Sequence, residues 1–367
     1  MKILQLAFLF LFVPVVSLAQ DTTSVSFVFV GDVMGHDTQI NSAFISQEKG
    51  YSYDGCFKYV SNIFEDADFT VANLEVTLAG PPFKGYPQFS SPDALAVAMQ
   101  KAGVDAMVTA NNHCLDRRKQ GLERTIDVLD SLGIPHNGTY KNSLDKEKNN
   151  VVLFEKNGIT AALLNYTYGT NGIPVSKPNV VNFLDEETIV NDIAKAKELK
   201  PDVMIAFVHW GLEYQTSPNA KQKKFNQLFK EHGVEIVIGS HPHVLQPIEN
   251  DEDHFVVYSL GNFISNQRTA PRDGGTIVRV EISKTKEHSF VSDAGYYLTW
   301  VHTPVINGKK EFMILPVSPF EDNALFMDFK ANKRLVEYGK EAREIYKSNI
   351  NIGEYFFDKN LPGWVKR

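Results

Sequence analysis

Ile238-Gly239-Ser240-His241-Pro242-His243-Val244-Leu245-Gln246 places two histidines two residues apart, directly after the apolar run Val234–Ile238. A short apolar run of this kind, closed by a glycine, reads as a buried strand. Both imidazoles then stand at or just past its carboxyl end. In open α/β sheets that is the edge where ligands bind. Neutral imidazole is a common ligand for divalent transition metals, and His-x-His in a tight turn offers two nitrogens to one site. Two partly exposed loop histidines would give the same local sequence. The other strand ends decide between the two.

Val25–Val30 ends at Gly31-Asp32, Asp68–Ala72 at Asn73-Leu74-Glu75, Val104–Thr109 at Ala110-Asn111-Asn112-His113, and Val203–Val208 at His209-Trp210-Gly211. With His241 and His243, five strand ends carry ligand-capable side chains. Asp and Asn are also common in turns, which explains any one of these positions but not all of them together. Carboxylate, amide and imidazole combined suit Zn²⁺, Mn²⁺ or Fe. Helical spacing fills the intervals: Asp54–Phe64, a helix opened by Ser91-Pro92-Asp93, Lys119–Leu132, Asp185–Leu199 and Ala220–His232. Asn157-Gly158 between Val151–Phe154 and Ile159–Leu164 predicts a hairpin. Phe255–Ser259 runs into Leu260-Gly261-Asn262-Phe263; the later strands, Thr276–Ser283, Tyr296–Val305 and Phe312–Val317, alternate as antiparallel strands do. A polar helix, Asp328–Lys347, follows. The pattern predicts one α/β domain with a helical C-terminal extension.

Residues 1–20 have the form of a signal peptide: Lys2, an apolar core over Leu4–Val16, and the small-x-small pattern Ser17-Leu18-Ala19. The core is short for a membrane span. The expectation is a secreted or periplasmic mature chain without a transmembrane segment, divided into a domain over 21–319 and an extension over 320–367. The 367 residues carry a formal net charge of −7, which disfavours nucleic acid as a partner. The two cysteines, Cys56 and Cys114, make no disulfide framework. Cys114 follows His113, so a Cys–His nucleophile is conceivable, with a buried thiol as the plainer reading.

Taken together, Gly31-Asp32-Val33-Met34, Asn73-Leu74-Glu75, Ala110-Asn111-Asn112-His113-Cys114-Leu115-Asp116, His209-Trp210-Gly211-Leu212-Glu213-Tyr214, Gly239–Gln246 and Tyr258-Ser259-Leu260-Gly261-Asn262-Phe263 resemble the CapA family of poly-γ-glutamate capsule biosynthesis proteins. The resemblance covers about Phe27–Val317. It implies the fold of calcineurin-like metallophosphoesterases, a four-layer α/β/β/α sandwich with a two-metal site holding Mn, Fe or Zn. Residue by residue it implies Asp32, Asn112, His209, His241 and His243 as metal ligands, and Glu75 as the bridging carboxylate. His113 would be the acid that protonates the leaving group, with Asp116 orienting it. Asn73, Arg118, Trp210, Glu213, Tyr214 and Asn262 are candidates for contacting substrate. The implied substrate is an anionic polymer or a phosphoester, with an envelope synthesis or export complex as partner.

Three positions depart from the phosphoesterase pattern. Met34 stands where a histidine ligand is expected, and a thioether is a poor ligand for these metals. His36 is near enough in sequence to replace it. Glu75 is one methylene longer than the usual aspartate. Arg118 replaces a glycine. A metal-dependent hydrolase and a non-catalytic polyanion binder of the same fold both follow from this sequence. Met34 favours the second; Asn112-His113 with Asp116 favours the first.

Overall fold

The computed structural model describes residues 22–367 except 252, 324, 348, 350–351 and 359–362. The segment 1–20 read as a signal peptide lies outside the described residues. No helix among the described residues is long and apolar enough to cross a membrane.

Nine strands position the site: β1 (Thr23–Val33), β2 (Phe69–Leu74), β3 (Ala106–Val108), β4 (Ile159–Thr167), β5 (Val203–His209), β6 (Ile236–Ser240), β7 (His254–Leu260), β8 (Gly274–Lys284) and β9 (Ser289–His302). The larger sheet runs Trp364–Lys366, Gly353–Phe357, β9, β8, β1, β2, β3, His136–Asn137. Within it β1, β2 and β3 are parallel, and β8 is antiparallel to β1. The second sheet runs Leu245–Asp251, β7, β6, β5, β4, Val152–Lys156. Its four inner strands are parallel and its two edges antiparallel, including the hairpin expected at Asn157-Gly158.

Strand period decides how the layers stack. Successive side chains point to opposite faces. In β1, Phe27 and Phe29 face inward and meet Ile205, Phe207, Ile236, Ile238, Phe255 and Val257 of the second sheet. Val28 and Val30 face outward, under Ile63, Phe64, Leu95 and Met99 of the covering helices. In β5, Ile205 and Phe207 face inward, while Ala206 and Val208 lie beneath Ile189, Ile193, Phe225 and Phe229 of helices Glu186–Glu198 and Ala220–Glu231. Helix, sheet, sheet, helix is the four-layer α/β/β/α sandwich expected. Both faces of each central strand are buried, which is why these strands read as unbroken apolar runs. Burying one such Phe or Ile contributes about 1.5–3 kcal/mol.

Two stretches differ from expectation. Asp54–Phe64 is not one helix but two short ones, Asp54–Phe57 and Ser61–Glu65. Cys56, Phe57, Val60, Ile63 and Phe64 stay buried, so the apolar spacing survives the break and hides it from the sequence. The C-terminal helix, Phe329–Tyr346, sends Leu335, Tyr338, Ala342 and Tyr346 into the inter-sheet core. Beyond it the chain returns as Gly353–Phe357, parallel to β9. Arg343 fastens this return, with Nε and Nη2 each 2.7 Å from the Glu354 carboxylate and Nη1 and Nη2 on Glu321 at 2.8 and 2.6 Å. Arg343→Met leaves Glu354 buried without its charge partner. Urea unfolding should show a loss of about 3 kcal/mol.

Candidate functional site

The carboxyl ends of the parallel strands in both sheets open onto one place. β1 delivers Asp32, β2 delivers Asn73 and, one residue past its end, Glu75. The loop after β3 carries Asn111 to Asp116. β5 ends in His209, and β6 runs through Ser240 into the His241-Pro242-His243 turn. Gly31 is required by the close approach of the neighbouring chain: a Cβ there would stand 2.2 Å from the Gly261 carbonyl oxygen. That approach sets Asn262 opposite Asp32.

The turn is strained. His241 and His243 have φ of +99° and +58°. Side-chain-bearing residues in such sparsely populated conformations cost on the order of 1–3 kcal/mol each, and persist where the surroundings over-determine them. Here Asp32 of the opposite sheet does so. Its Oδ1 accepts from the His241 N–H at 3.4 Å, and its Oδ2 lies 3.0 Å from His243 Nδ1. Asn262 Nδ2 adds a bond to the His243 carbonyl at 3.4 Å.

Two sets of side chains hold their ligand atoms within 4.8 Å of one another: Glu75, His209 and His241, and Asp32, Glu75 and His243. Glu75 belongs to both. All five residues are buried. Neither Glu75 oxygen has a hydrogen-bond partner, and neither has His241 Nδ1. Buried polar groups are seldom left this way, so the orphaned atoms fit a site built around cations. Burial, then the Asp32 carboxylate, hold the Glu75 carboxyl well above the usual range. Burial also pushes Asp32 up, but the His243 hydrogen bond and charge, His209 and Asn73 outweigh it and hold it below its ordinary value. Burial lowers His209 to about 3 and His241 well below its ordinary value. Both imidazoles are therefore neutral at physiological pH, the form that ligates metal.

Asn112 presents its Oδ1 2.9 Å from His209 Nε2. His113 and Asp116 form a second unit, with Nδ1 to Oδ2 at 2.8 Å. The same Asp116 oxygen accepts the Phe89 backbone N–H at 2.7 Å, and the Phe89 ring meets the imidazole edge-on, centroids 4.7 Å apart. The carboxylate and the aromatic wall together fix the ring.

The remaining candidates divide. Tyr214 stands at the rim, its ring 6.2 Å from that of His243, with Glu213 exposed beside it. Asn262 Nδ2 also bonds the Arg272 carbonyl at 2.8 Å, while its Oδ1 is buried and unpartnered. Arg118 is exposed at the start of helix Arg118–Leu132. Two assignments to substrate need correction. Trp210 is 1% exposed, and its indole N–H donates to the Tyr258 carbonyl at 2.9 Å; the ring is core. Asn73 is fully enclosed, its amide nitrogen 2.9 Å from Asp32 Oδ1 and 3.3 Å from both Ser240 Oγ and His209 Nδ1, so it braces the cluster from behind.

Met34 is buried. His36 does not replace it: its Nδ1 lies 3.0 Å from Gln39 Oε1 and accepts from the Asn266 N–H at 3.2 Å. Cys56 and Cys114 are free. Burial pushes the Cys114 thiol up to about 12, and it packs with Leu115, Leu122 and Ile126, which removes the thiolate that a Cys–His nucleophile needs. Sequence reasoning missed Ser240, whose Oγ is 2.9 Å from His209 Nδ1, and Phe89; Ser240 was signalled by its place immediately before His241. Phe89 had no signal.

A family model described as "Bacterial capsule synthesis protein PGA_cap" matches residues 26–267. PGA biosynthesis protein CapA of Bacillus subtilis (strain 168) is 29% identical over 270 residues, 70% of this chain and 67% of that protein. Capsule biosynthesis protein CapA of Bacillus anthracis is 27% identical over 228 residues, 59% of this chain; the chain spans 55% of that relative's length. A crystal structure from Staphylococcus aureus, provisionally described as a 5′-nucleotidase in complex with α-ketoglutarate, aligns with a TM-score of 0.50 and 16% identity, over 86% of this chain and 58% of that one. At that identity it speaks for the fold alone. The family model covers well over half of the sequence, and its span contains every residue of the Glu75 cluster: the chain belongs to the family of bacterial capsule synthesis proteins.

Proposed function

We propose that this protein is an exported, metal-dependent hydrolase acting on a bond in an anionic envelope polymer or a phosphoester, in the service of capsule or related polymer synthesis. The observation that carries the reading is the shared carboxylate: two ligand sets meet at Glu75, whose two oxygens have no other partner. Asp32 and His243 would complete one position, and His209 with His241 the other, with Asn112 Oδ1 alongside. Mn, Fe or Zn held there would supply Lewis acidity and would lower the pKa of a bound water toward neutrality. The protein's own part in the proton transfer falls to His113. Asp116 accepts from Nδ1, which leaves Nε2 as the atom that holds a proton for the departing group. The role in polymer synthesis rests on the family and on the names of the two relatives.

A second reading, capture of a polyanion without turnover, is favoured by Met34, which offers no useful ligand where a histidine is expected. Elemental mass spectrometry on residues 21–367, purified without chelator or nickel resin, tests both. Near two equivalents of metal is the expected result. One equivalent points to a site impaired beside Met34. None, with none taken up on addition, sinks the hydrolase and leaves the binding role.

A further inference from the structure

Arg272 follows the strand that carries Asn262, and the Glu75 cluster gives it no role. Its backbone is held: the carbonyl accepts from Asn262 Nδ2 at 2.8 Å, and its N–H donates to the Thr269 carbonyl at 2.9 Å. Its guanidinium lies over the ring of Tyr214, 4.3 Å from the centroid. Tyr214 has a left-handed φ of +67°, and its N–H donates to the Pro242 carbonyl at 2.8 Å, inside the His-x-His turn. The stack is thus pinned at one end to the loop after Asn262 and at the other to the two histidines.

The acid next to it in the chain is Asp273. It is engaged elsewhere: Arg334 Nη2 and Nε reach its two oxygens at 2.8 and 2.9 Å, and the Trp300 indole N–H reaches it at 2.8 Å. Among the described residues, no carboxylate forms an ion pair with Arg272. In a chain where acidic residues outnumber lysine and arginine 44 to 37, a half-buried guanidinium without an acid is not the default. Tyr214 holds the guanidinium against its ring, and the donors not turned toward Tyr214 can meet a planar, two-oxygen acceptor.

We propose that Arg272, laid over Tyr214 at the rim of the Glu75 cluster, is the specificity-determining group that takes a carboxylate or phosphate oxygen of the substrate beside the bond to be broken. This deepens the hydrolase reading and takes from it the Glu75 cluster as the reacting centre. A charged hydrogen-bonded pair of this kind is worth roughly ten- to a hundredfold in affinity. Lysine keeps the charge but loses the fork.

The test is calorimetric titration of the full mature protein, as purified and after chelation, with glutarate and with inorganic phosphate, for wild type, Arg272→Met and Arg272→Lys. Arg272→Met is expected to weaken the recognised probe by roughly tenfold or more, Arg272→Lys by less, with metal content unchanged in both. Dependence with glutarate alone identifies a carboxylate; dependence with phosphate alone identifies a phosphoryl group. Wild-type affinity for both probes in Arg272→Met overturns the proposal, as does a wild type that binds neither in the millimolar range. A wild type without metal whose binding still depends on Arg272 refutes the hydrolase and keeps the anion clamp.

Discussion

Glu75→Gln is expected to empty both metal positions at once. The amide keeps the volume and one acceptor but loses the charge that the two ligand sets share. Loss of a group that merely supports a ligand lowers metal affinity about 10–100-fold, and loss of the shared ligand itself should exceed that. Elemental analysis of the variant should fall from two equivalents to a small fraction of one, and turnover should fall with it. Retention of one full equivalent would show that the second position does not need Glu75, and would end the bridging assignment. Stability should move the other way in chelated protein. Burial and the Asp32 carboxylate raise Glu75 well above its ordinary pKa. For a raised group, the stabilising contribution is complete below the unfolded-state pKa and is lost as pH rises through the folded value. Chelated wild type should therefore lose stability with rising pH more steeply than chelated Glu75→Gln, and at neutral pH the variant should be the more stable. Equal slopes would mean that Glu75 carries no uncompensated charge.

His113→Ala is the second large effect. Positioned proton transfer is worth about 10²–10⁴-fold, and the loss should appear in kcat, with metal content unchanged. The ring touches Phe89 and Asp116 rather than either ligand set, so the two readouts separate cleanly. Full kcat in His113→Ala would remove the acid role and move the protein toward the binding-only reading. A drop in metal content would make His113 a ligand instead.

Much of this site was readable before any coordinates, because the same physics writes both levels. Parallel strands buried on both faces appear as apolar runs, and the polar residue that ends each run must lie at the sheet edge. Asp32, Glu75, Asn112, His209, His241 and His243 stand at such ends, and the structure gathers Asp32 and the three histidines around Glu75, with Asn112 beside His209. The bracing residues did not. Asn73 and Trp210 occupy the same kind of position as the ligand candidates, and only the three-dimensional partners show that one braces Asp32 from behind and the other is core. The broken helix over residues 54–65 keeps a helical burial pattern, so periodicity cannot reveal it. The strands Gly353–Phe357 and Trp364–Lys366 are too short to give a period, and the pairing that ties them to the larger sheet, Gly353–Phe357 against β9, is long-range. Arg272 was silent for a different reason. Its contact with Tyr214 joins two loops far apart in the chain, which no local pattern records.

The seam between the sheets has a temporal side. Asp32, Glu75 and Asn112 come from the first third of the chain, whereas His209, His241 and His243 lie beyond its midpoint, and the sheet that carries Asp32 also takes in strands that follow all three histidines, Gly274–Lys284 and Ser289–His302. No contiguous portion short of residue 243 contains the whole ligand set. On the proposed reading, an ion held by all of these residues would be captured only once both sheets have come together, and so would not nucleate the fold.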